Sequence, residues 1–325
     1  MSLDRSNEFG VGFIGAGDIS LYHAAGIKKA GGRLVGLYDI SLERAEGRSA
    51  EFECSQYNSP EQLVSDPNIE AVYVLTPLES HFSNVKLALE ANKHVLVEKP
   101  VGINIAEIEE MKSLSEERGL ICMPGHNYIY DPRMVEIKRS IDEGDFGKLS
   151  SVYILYNIHH PEEVAKKYPG VIRQVMTHHA YTLLYLAGEP QEIQVLKQNQ
   201  HYQEFQEEDM AMANLRMKNG ALAHLEVSFA TDDHSSDPWS FYIKVLGSKG
   251  SARYSYNDVI INSPGIVHSH TYSAYHRTIE NEVAHFFECV RGNNEPLSSL
   301  DDAIKSQRII EGIEQSIAKG RTVTI

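Results

Sequence analysis

The sequence predicts an α/β protein in two parts: a doubly wound parallel sheet, then an α+β domain with a large, mostly antiparallel open sheet. In the first third, short apolar runs rich in β-formers alternate with stretches of helical period, as in parallel strands joined by helices. Further along, strand candidates follow one another with only turn residues between them, which is typical of hairpins. The 325 residues suit two packed domains, which we place at 1–124 and 125–325.

The first part contains five strand candidates, at residues 10–15, 33–39, 71–76, 94–98 and 120–125. Helical segments separate them, at 20–29, 41–52, 80–91 and 105–118. Because these strands are apolar on both faces, we expect helices on each side of the sheet and right-handed crossovers.

After Pro124 the pattern changes. Helices are predicted at 132–143, 172–186, 279–290 and 300–318, and strands at 148–158, 192–200, 209–217, 221–229, 240–247 and 251–257. Asn219-Gly220 and the segment 247–250 tolerate a left-handed backbone and therefore predict hairpins. We expect this domain to bind substrate and to mediate self-association, with the final helix able to pack back on the first domain.

The composition excludes several classes of partner. A net charge of −15 argues against nucleic acid or an anionic membrane, because both need basic surface. Cys54, Cys122 and Cys289 are odd in number and have no metal-like spacing, which favours a reducing, cytoplasmic location. No apolar run approaches the ~18 residues of a membrane span, and the N-terminus does not read as a signal peptide.

A glycine-rich loop follows the first strand, where "GVGFIG" leads into "GAGDIS". In such a loop the first glycine makes the tight turn, and the second lets the backbone approach a pyrophosphate at the N-terminus of the next helix. Asp39 ends the next strand 22 residues after Gly17, where an acid hydrogen-bonds the adenosine ribose. Asp39 could instead be a simple helix N-cap. The sequence thus predicts a Rossmann dinucleotide site, with a loop of Gly15, Ala16, Gly17, Asp18 and Ile19.

Asp39 also bears on the choice of dinucleotide. A carboxylate repels a 2′-phosphate, and neither Ile40 nor Ser41 is an arginine that could receive one. Arg44 lies one turn further and could still reach. We therefore expect NAD, with NADP less favoured.

Two later stretches, "VLTPLESHFSNVKLALEANKHVLVEKPVG" and "HNYIYDP", resemble the glucose-fructose oxidoreductase / inositol dehydrogenase / MocA-type family of NAD(P)-dependent oxidoreductases. The resemblance covers nearly the whole chain and is most specific around Glu98-Lys99-Pro100. It implies that Lys99 contacts the reacting oxygen and that Pro100 shapes the nicotinamide pocket. Without it, Glu98 and Lys99 would be read as a surface ion pair. It also places an earlier loop beside the cofactor, formed by Thr76, Pro77 and His81, although His81 could be a packing residue at a helix start.

The resemblance further implies a histidine on a helix of the second domain, with an aspartate four residues before it. His178 and His179 occupy that region, but the residues four before them are Gln174 and Val175. We favour His179 as the acid/base and keep His178 as the alternative, the third option being a structural histidine. Substrate-facing polar groups are expected at Asn127, Tyr128 and Asn157, in addition to Lys99 and His179. Adjacent histidines on one element point apart, so no metal site is predicted.

These observations favour an oxidoreductase that transfers hydride between NAD and a sugar, polyol or related CH–OH group. One alternative uses NAD transiently in a lyase or glycosidase reaction without net redox change. Another is an NAD-binding sensor without catalysis. Strands such as 221–229 and 240–247 alternate with few charges, so we expect a homodimer or homotetramer formed through the C-terminal sheet.

Overall fold

The computed structural model describes residues 8–230, 239–255, 272–292 and 294–325. The chain divides into two compact units. The first contains the residues up to Asn127 together with Thr278–Ile304, and the second contains Tyr128–Arg277 and Lys305–Ile325.

The first unit is built on a six-stranded sheet in the order β3-β2-β1-β4-β5-β6, with every neighbouring pair parallel. Strands and helices alternate along the chain: β1 (Phe9–Ile14), α1 (Ile19–Lys29), β2 (Gly32–Tyr38), α2 (Leu42–Phe52), β3 (Ser55–Gln56), α3 (Pro60–Val64), β4 (Ala71–Val74), α4 (His81–Glu90), β5 (His94–Glu98), α5 (Ile105–Arg118) and β6 (Cys122–Gly125). The strand order reverses between β1 and β4. In open parallel sheets, ligands bind beyond the carboxyl ends of the strands at such a point.

The sheet is buried on both faces, as its apolar strands predict. All six residues of β1 and all four of β4 are buried. On one face, α4 and α5 contribute Val85, Leu89, Ile108 and Met111 to the core, at the i, i+3 and i, i+4 spacings that place side chains on one side of a helix. The parallel Rossmann sheet is therefore confirmed.

The second unit begins with α6 (Pro132–Asp142) and β7 (Leu149–Ile158), followed by α7 (Glu162–Ala165). A π turn over Ile172–Met176 leads into α8 (Thr177–Ala187). The remaining elements are β8 (Pro190–Gln198), β9 (Met210–Met217), β10 (Leu222–Ser228), β11 (Trp239–Gly247), β12 (Ser251–Ser255), α9 (Tyr272–Gly292), α10 (Leu300–Lys319) and β13 (Val323–Thr324). Helices α9 and α10 contribute residues to both units.

Seven strands form the sheet of this unit, in the order β12-β11-β7-β10-β9-β8-β13. Neighbours are antiparallel except β7 and β10, which are parallel. Asn219-Gly220 turns β9 into β10, with Gly220 at φ +88°, a conformation that glycine adopts without steric cost. One face of the sheet buries Val152, Ile154 and Leu225. The mostly antiparallel open sheet is confirmed, and the last two residues of the strand predicted at 251–257 lie outside the described residues.

The division of the chain differs from the predicted border at residue 124, because Thr278–Ile304 belongs to the first unit. Packing explains the difference. The ring of Phe287 on α9 lies 4.6 Å from that of Phe9 on β1. A Cβ on Gly26 of α1 would stand 2.9 Å from Val283, so α1 and α9 meet in close contact. The amphipathic pattern of α9 predicts a helix but does not say which sheet it covers.

Candidate functional site

The glycine-rich loop lies at the carboxyl end of β1. Gly15 has φ +102°, and a Cβ there would stand 2.6 Å from the carbonyl oxygen of Leu75, so the turn requires glycine. A Cβ on Gly17 would meet no described atom within 4 Å, which leaves open space above the loop. Asp18 precedes α1 without a side-chain hydrogen bond to it. The N–H groups of Ser20 and Leu21 donate to the carbonyl oxygens of Gly17 and Asp18, and the positive end of the helix dipole suits an anion such as pyrophosphate.

Asp39 is buried at the end of β2 and holds this loop. Its Oδ2 accepts a 2.8 Å hydrogen bond from the N–H of Ala16, and its Oδ1 accepts one of 2.8 Å from Ser41. The half-exposed guanidinium of Arg44 lies 3.3 Å from Oδ1. Ser41, rather than Asp39, caps α2 by accepting from the N–H of Arg44. The N-cap interpretation of Asp39 is therefore wrong, and its carboxylate remains at the strand end where a ribose would bind.

His81 joins two loops at the same edge of the sheet. Its Nδ1 lies 2.8 Å from the carbonyl oxygen of Pro100 and its Nε2 lies 2.7 Å from that of Thr76. Burial lowers the pKa of His81, while both carbonyls act to raise it. A neutral imidazole donates only one of these hydrogen bonds. His81 therefore joins the loop of Thr76 and Pro77 to the loop after β5.

Glu98, Lys99 and Pro100 follow β5 directly, and the Lys99–Pro100 peptide bond is cis. Oε1 of Glu98 lies 2.9 Å from Nε2 of the fully buried His23, and Oε2 accepts the N–H of Lys99 at 3.1 Å. Burial acts to raise the pKa of Glu98, but the hydrogen bond with His23 and the charge of Lys99 lower it overall. Burial lowers the pKa of Lys99, and the charge of Glu98 opposes this. A lysine of lowered pKa gives up its proton more readily than an ordinary lysine.

These groups meet at one edge of one sheet, as predicted: the loop after β1, Asp39 after β2, Thr76 and Pro77 after β4, and Glu98 to Pro100 after β5. The open space at Gly17, the uncapped start of α1 and the carboxylate of Asp39 fit the pyrophosphate and adenosine ribose of a dinucleotide. Within the described ranges, no group of three or more His, Cys, Asp or Glu side chains could hold a metal ion.

Asn127 and its neighbour His126 form hydrogen bonds inside the protein. Asn127 is buried and donates a 2.7 Å hydrogen bond to the hydroxyl of Thr278 within the first unit. His126 is likewise buried, with its Nδ1 2.7 Å from the hydroxyl of Ser298, and burial lowers its pKa to about 4. The structure thus places Asn127 in an internal hydrogen bond, and its predicted contact with substrate stays a prediction.

His178 lies among tyrosines in the second unit. Its Nδ1 is 2.7 Å from the hydroxyl of Tyr181, and that hydroxyl also accepts the N–H of Tyr128 at 3.3 Å. The ring of His178 lies 4.6 Å from that of Tyr128 and 6.3 Å from that of Tyr156. Tyr128 and Tyr156 are joined through their hydroxyls at 3.1 Å. His178 therefore has an orienting partner in the phenol of Tyr181, even though no aspartate stands four residues before it.

His179 has the opposite environment. It is fully buried, and neither ring nitrogen finds a hydrogen-bond partner in the described part of the chain. Its ring lies 6.4 Å from those of Tyr156 and Phe241. Burial lowers its pKa to about 3, with a smaller contribution from His224. An imidazole in such a place resists protonation. Asn157, also buried, donates to Oε1 of Glu226 at 3.3 Å.

Sequence reasoning missed two of these groups. Tyr181 stands three residues after His178, a spacing that brings side chains together on a helix, so a search for any hydrogen-bonding partner at that spacing would have found it. His23 carries no comparable signal. Its contact with Glu98 spans 75 residues and depends on α1 packing beside β5.

Both parts of the chain match models of known protein families. Residues 9–126 match the model of an oxidoreductase family with an NAD-binding Rossmann fold, and residues 138–325 match the model of its C-terminal alpha/beta domain. The scyllo-inositol 2-dehydrogenase (NAD(+)) of Bacillus subtilis (strain 168) is 25% identical over 96% of this chain and 95% of its own length. An uncharacterized oxidoreductase of that organism, YrbE, is 26% identical, covering 97% and 96%. The solved myo-inositol 2-dehydrogenase of Lactobacillus plantarum superposes with a TM-score of 0.85 at 22% identity, covering 98% of this chain and 100% of that one.

Proposed function

Because the chain belongs to this oxidoreductase family with an NAD-binding Rossmann fold, we propose that it oxidises a CH–OH group of a cyclic polyol or sugar. One observation carries the proposal. Lys99, with its pKa lowered by burial, stands beside Glu98 at the sheet edge that also presents the glycine-rich loop and Asp39. The relatives named for scyllo-inositol and myo-inositol support a cyclic polyol as the first substrate class to test.

When bound, NAD supplies the hydride acceptor. The residues of the chain bind and orient the substrate and move its proton. Lys99 donates a hydrogen bond to the reacting oxygen and favours the developing carbonyl over the alcohol. Its lowered pKa makes the ammonium of Lys99 a stronger acid than that of an ordinary lysine.

We assign the acid/base role to His178 rather than to His179. The contact of its Nδ1 with the hydroxyl of Tyr181 at 2.7 Å orients the imidazole of His178 for proton transfer with the substrate hydroxyl. The surroundings of His179 support the structural alternative, since an imidazole whose pKa is about 3 is a weak base. Asn157 and Tyr128 remain our proposed substrate-side residues in this unit.

The test is a panel of inositols, sugars and sugar acids incubated with dialysed protein and either NAD or NADP. Formation of NADH with a polyol, at a rate proportional to enzyme, supports the proposal. Product formed without net change in the cofactor would favour a lyase or glycosidase. Tight NAD binding without any product over the whole panel would overturn the catalytic reading in favour of a sensor.

We further propose that the second unit assembles into a homodimer or homotetramer through the outer face of its sheet, in the cytoplasm. That face exposes large apolar side chains: Leu196 is 74% exposed, Leu222 53% and Tyr153 40%. Apolar groups standing together on an open sheet favour association. None of the helices in the described ranges is long and apolar enough to cross a membrane. Light scattering at micromolar concentration tests the assembly, and a monomer there would contradict it.

A further inference from the structure

Behind Glu98, the first unit buries a group of polar side chains that the proposed reaction does not use. Glu282 on α9 and Tyr73 on β4 are completely buried, and so is His23 on α1. The rings of His23 and Tyr73 lie 5.4 Å apart, almost perpendicular. On its other side, Tyr73 packs against Phe286, also at 5.4 Å. Tyr73 thus contacts α1 through His23 and α9 through Phe286, inside the core of the first unit.

Four atoms of this group have no hydrogen-bond partner within the described part of the chain: both carboxyl oxygens of Glu282, the hydroxyl of Tyr73 and Nδ1 of His23. Buried polar atoms are costly when unpaired, so a group of them in one place normally shares hydrogen bonds or an ordered water. The four atoms include an acceptor and groups that can donate to it. His23 donates from Nε2 to Glu98, which leaves Nδ1 as an acceptor in the neutral ring. A protonated carboxyl and a phenol are the donors that such an acceptor requires.

Burial and neighbouring charges also favour the protonated state of Glu282. Burial raises the pKa of Glu282 well above its usual range, and the charge of Glu98 raises it further. Burial likewise raises the pKa of Tyr73, and Glu282 adds to that rise. The titratable groups around Glu282 and Glu98, by element, are His23 from α1, Tyr73 from β4, Lys99 after β5, and His126 after β6. The charges of Lys99 and Glu98 act on one another, and a second carboxylate would compete for that lysine.

We infer that Glu282 is a protonated carboxyl that donates, through a buried water, into a hydrogen-bonded chain running through His23 to Glu98, and that it thereby positions Glu98 and keeps a single negative charge beside Lys99. Glu282 is a positioning residue, since it acts on Lys99 through Glu98. The kinetic part of this inference rests on the proposed function; the protonation of Glu282 does not.

The first experiment measures the pH dependence of unfolding for the wild type and for Glu282→Gln. Above the pKa of an unfolded glutamate, about 4.3, the unfolded chain has lost a proton that the folded chain retains. Wild-type stability should therefore fall as pH rises. Because one proton is involved, the unfolding equilibrium constant should rise about tenfold more per pH unit than in Glu282→Gln between pH 5 and 8.

The matched control is Glu280→Gln, two residues away on the same helix, where a partly exposed carboxylate pairs with Lys29 at 2.5 Å. It should keep the wild-type slope. Equal slopes in the wild type and Glu282→Gln would overturn the protonated state.

The second experiment compares pH profiles of kcat and kcat/KM. Glu282→Gln keeps a neutral donor of the same shape, so its kcat should stay within about threefold of wild type. Glu282→Met removes the donor but fills the buried volume with a side chain of similar length, so it should fold. It should also lose about tenfold or more in kcat, shift the pH profile, and leave the affinity for NAD unchanged.

A wild-type profile in Glu282→Met would overturn the positioning role. The pH dependence of unfolding can be measured without any catalytic turnover. It therefore tests Glu282 even where wild-type protein oxidises nothing on the panel, a result that would count against the proposed function alone.

Discussion

Nδ1 of His178 lies 2.7 Å from the hydroxyl of Tyr181, one turn further along α8. The phenol takes the place of a carboxylate as the group that orients this imidazole. We predict that His178→Asn lowers kcat roughly 100-fold or more, the scale of a positioned acid/base. Tyr181→Phe should lower kcat only about fivefold to tenfold, as expected for one neutral hydrogen bond of ~1 kcal/mol. Steady-state kinetics decide, and full activity in His178→Asn would return the role to His179.

The burial of His179 predicts a contribution to acid sensitivity. Its folded pKa of about 3 lies below the unfolded value of about 6.5, so its stabilisation is complete above pH 6.5 and is lost as pH falls toward 3. One proton costs about 1.4 kcal/mol per pH unit over that window. His179→Leu should therefore flatten the loss of stability between pH 6.5 and 5 in urea unfolding, and keep kcat within a few-fold. An unchanged acid slope would count against this environment.

Lys99 is the residue whose loss should cost most activity in the first unit. Lys99→Met keeps the stem and removes the ammonium, so turnover should fall roughly 100-fold or more. The affinity for NAD, measured by fluorescence, should change little, because the glycine-rich loop and Asp39 are intact. Glu98→Gln should cost less. Lys86→Met, which removes an exposed lysine paired with Glu110, is the control and should leave kcat unchanged. Near-normal turnover in Lys99→Met would mean that Lys99 is only a charged residue at a strand end, without a catalytic role.

Asp39 should determine the preference for NAD over NADP. Asp39→Ala removes the repulsion of a 2′-phosphate, but it also removes the acceptor of the Ala16 and Ser41 N–H groups. We therefore expect Asp39→Ala both to lower the affinity for NAD and to weaken the preference for NAD over NADP. Asp39→Asn keeps an acceptor oxygen and should lose preference with less loss of affinity. Binding of both dinucleotides is measured by calorimetry. Tighter binding of NADP than NAD by the wild type would mean that Arg44, rather than Asp39, determines the preference.

The first unit could be predicted in detail because its determinants are local. Buried strands read as continuous apolar runs, and the motif around Lys99 identifies the edge of the sheet. What escaped prediction is short or non-local. Helix α3 has only five residues, Pro60–Val64, too few to show a period. Thr278–Ile304 belongs to the first unit because of contacts such as that of Phe287 with Phe9. These contacts join residues that are far apart in the chain.

The choice between two adjacent histidines was beyond the sequence for another reason. His178 and His179 have the same chemistry and neighbouring positions, and only packing separates them. One ring reaches the hydroxyl of Tyr181, and the other stands against Tyr156 and Phe241. The spacing of the expected aspartate favoured neither. How deeply each ring is buried depends on the tertiary structure, so it cannot be read from the residue type at one position.

The π turn over Ile172–Met176 constrains how this segment can change in length during evolution. A π turn accommodates one residue more than an α-helix would over the same rise. Upstream, the N–H of Val171 is fixed to the carbonyl oxygen of Glu208 at 3.1 Å; downstream, Tyr181 is fixed to Tyr128. Deleting one residue between these anchors would turn α8 by about 100° or break one of them. Insertions and deletions should therefore be selected against here, while loops such as that at Asn219-Gly220 remain free to vary in length.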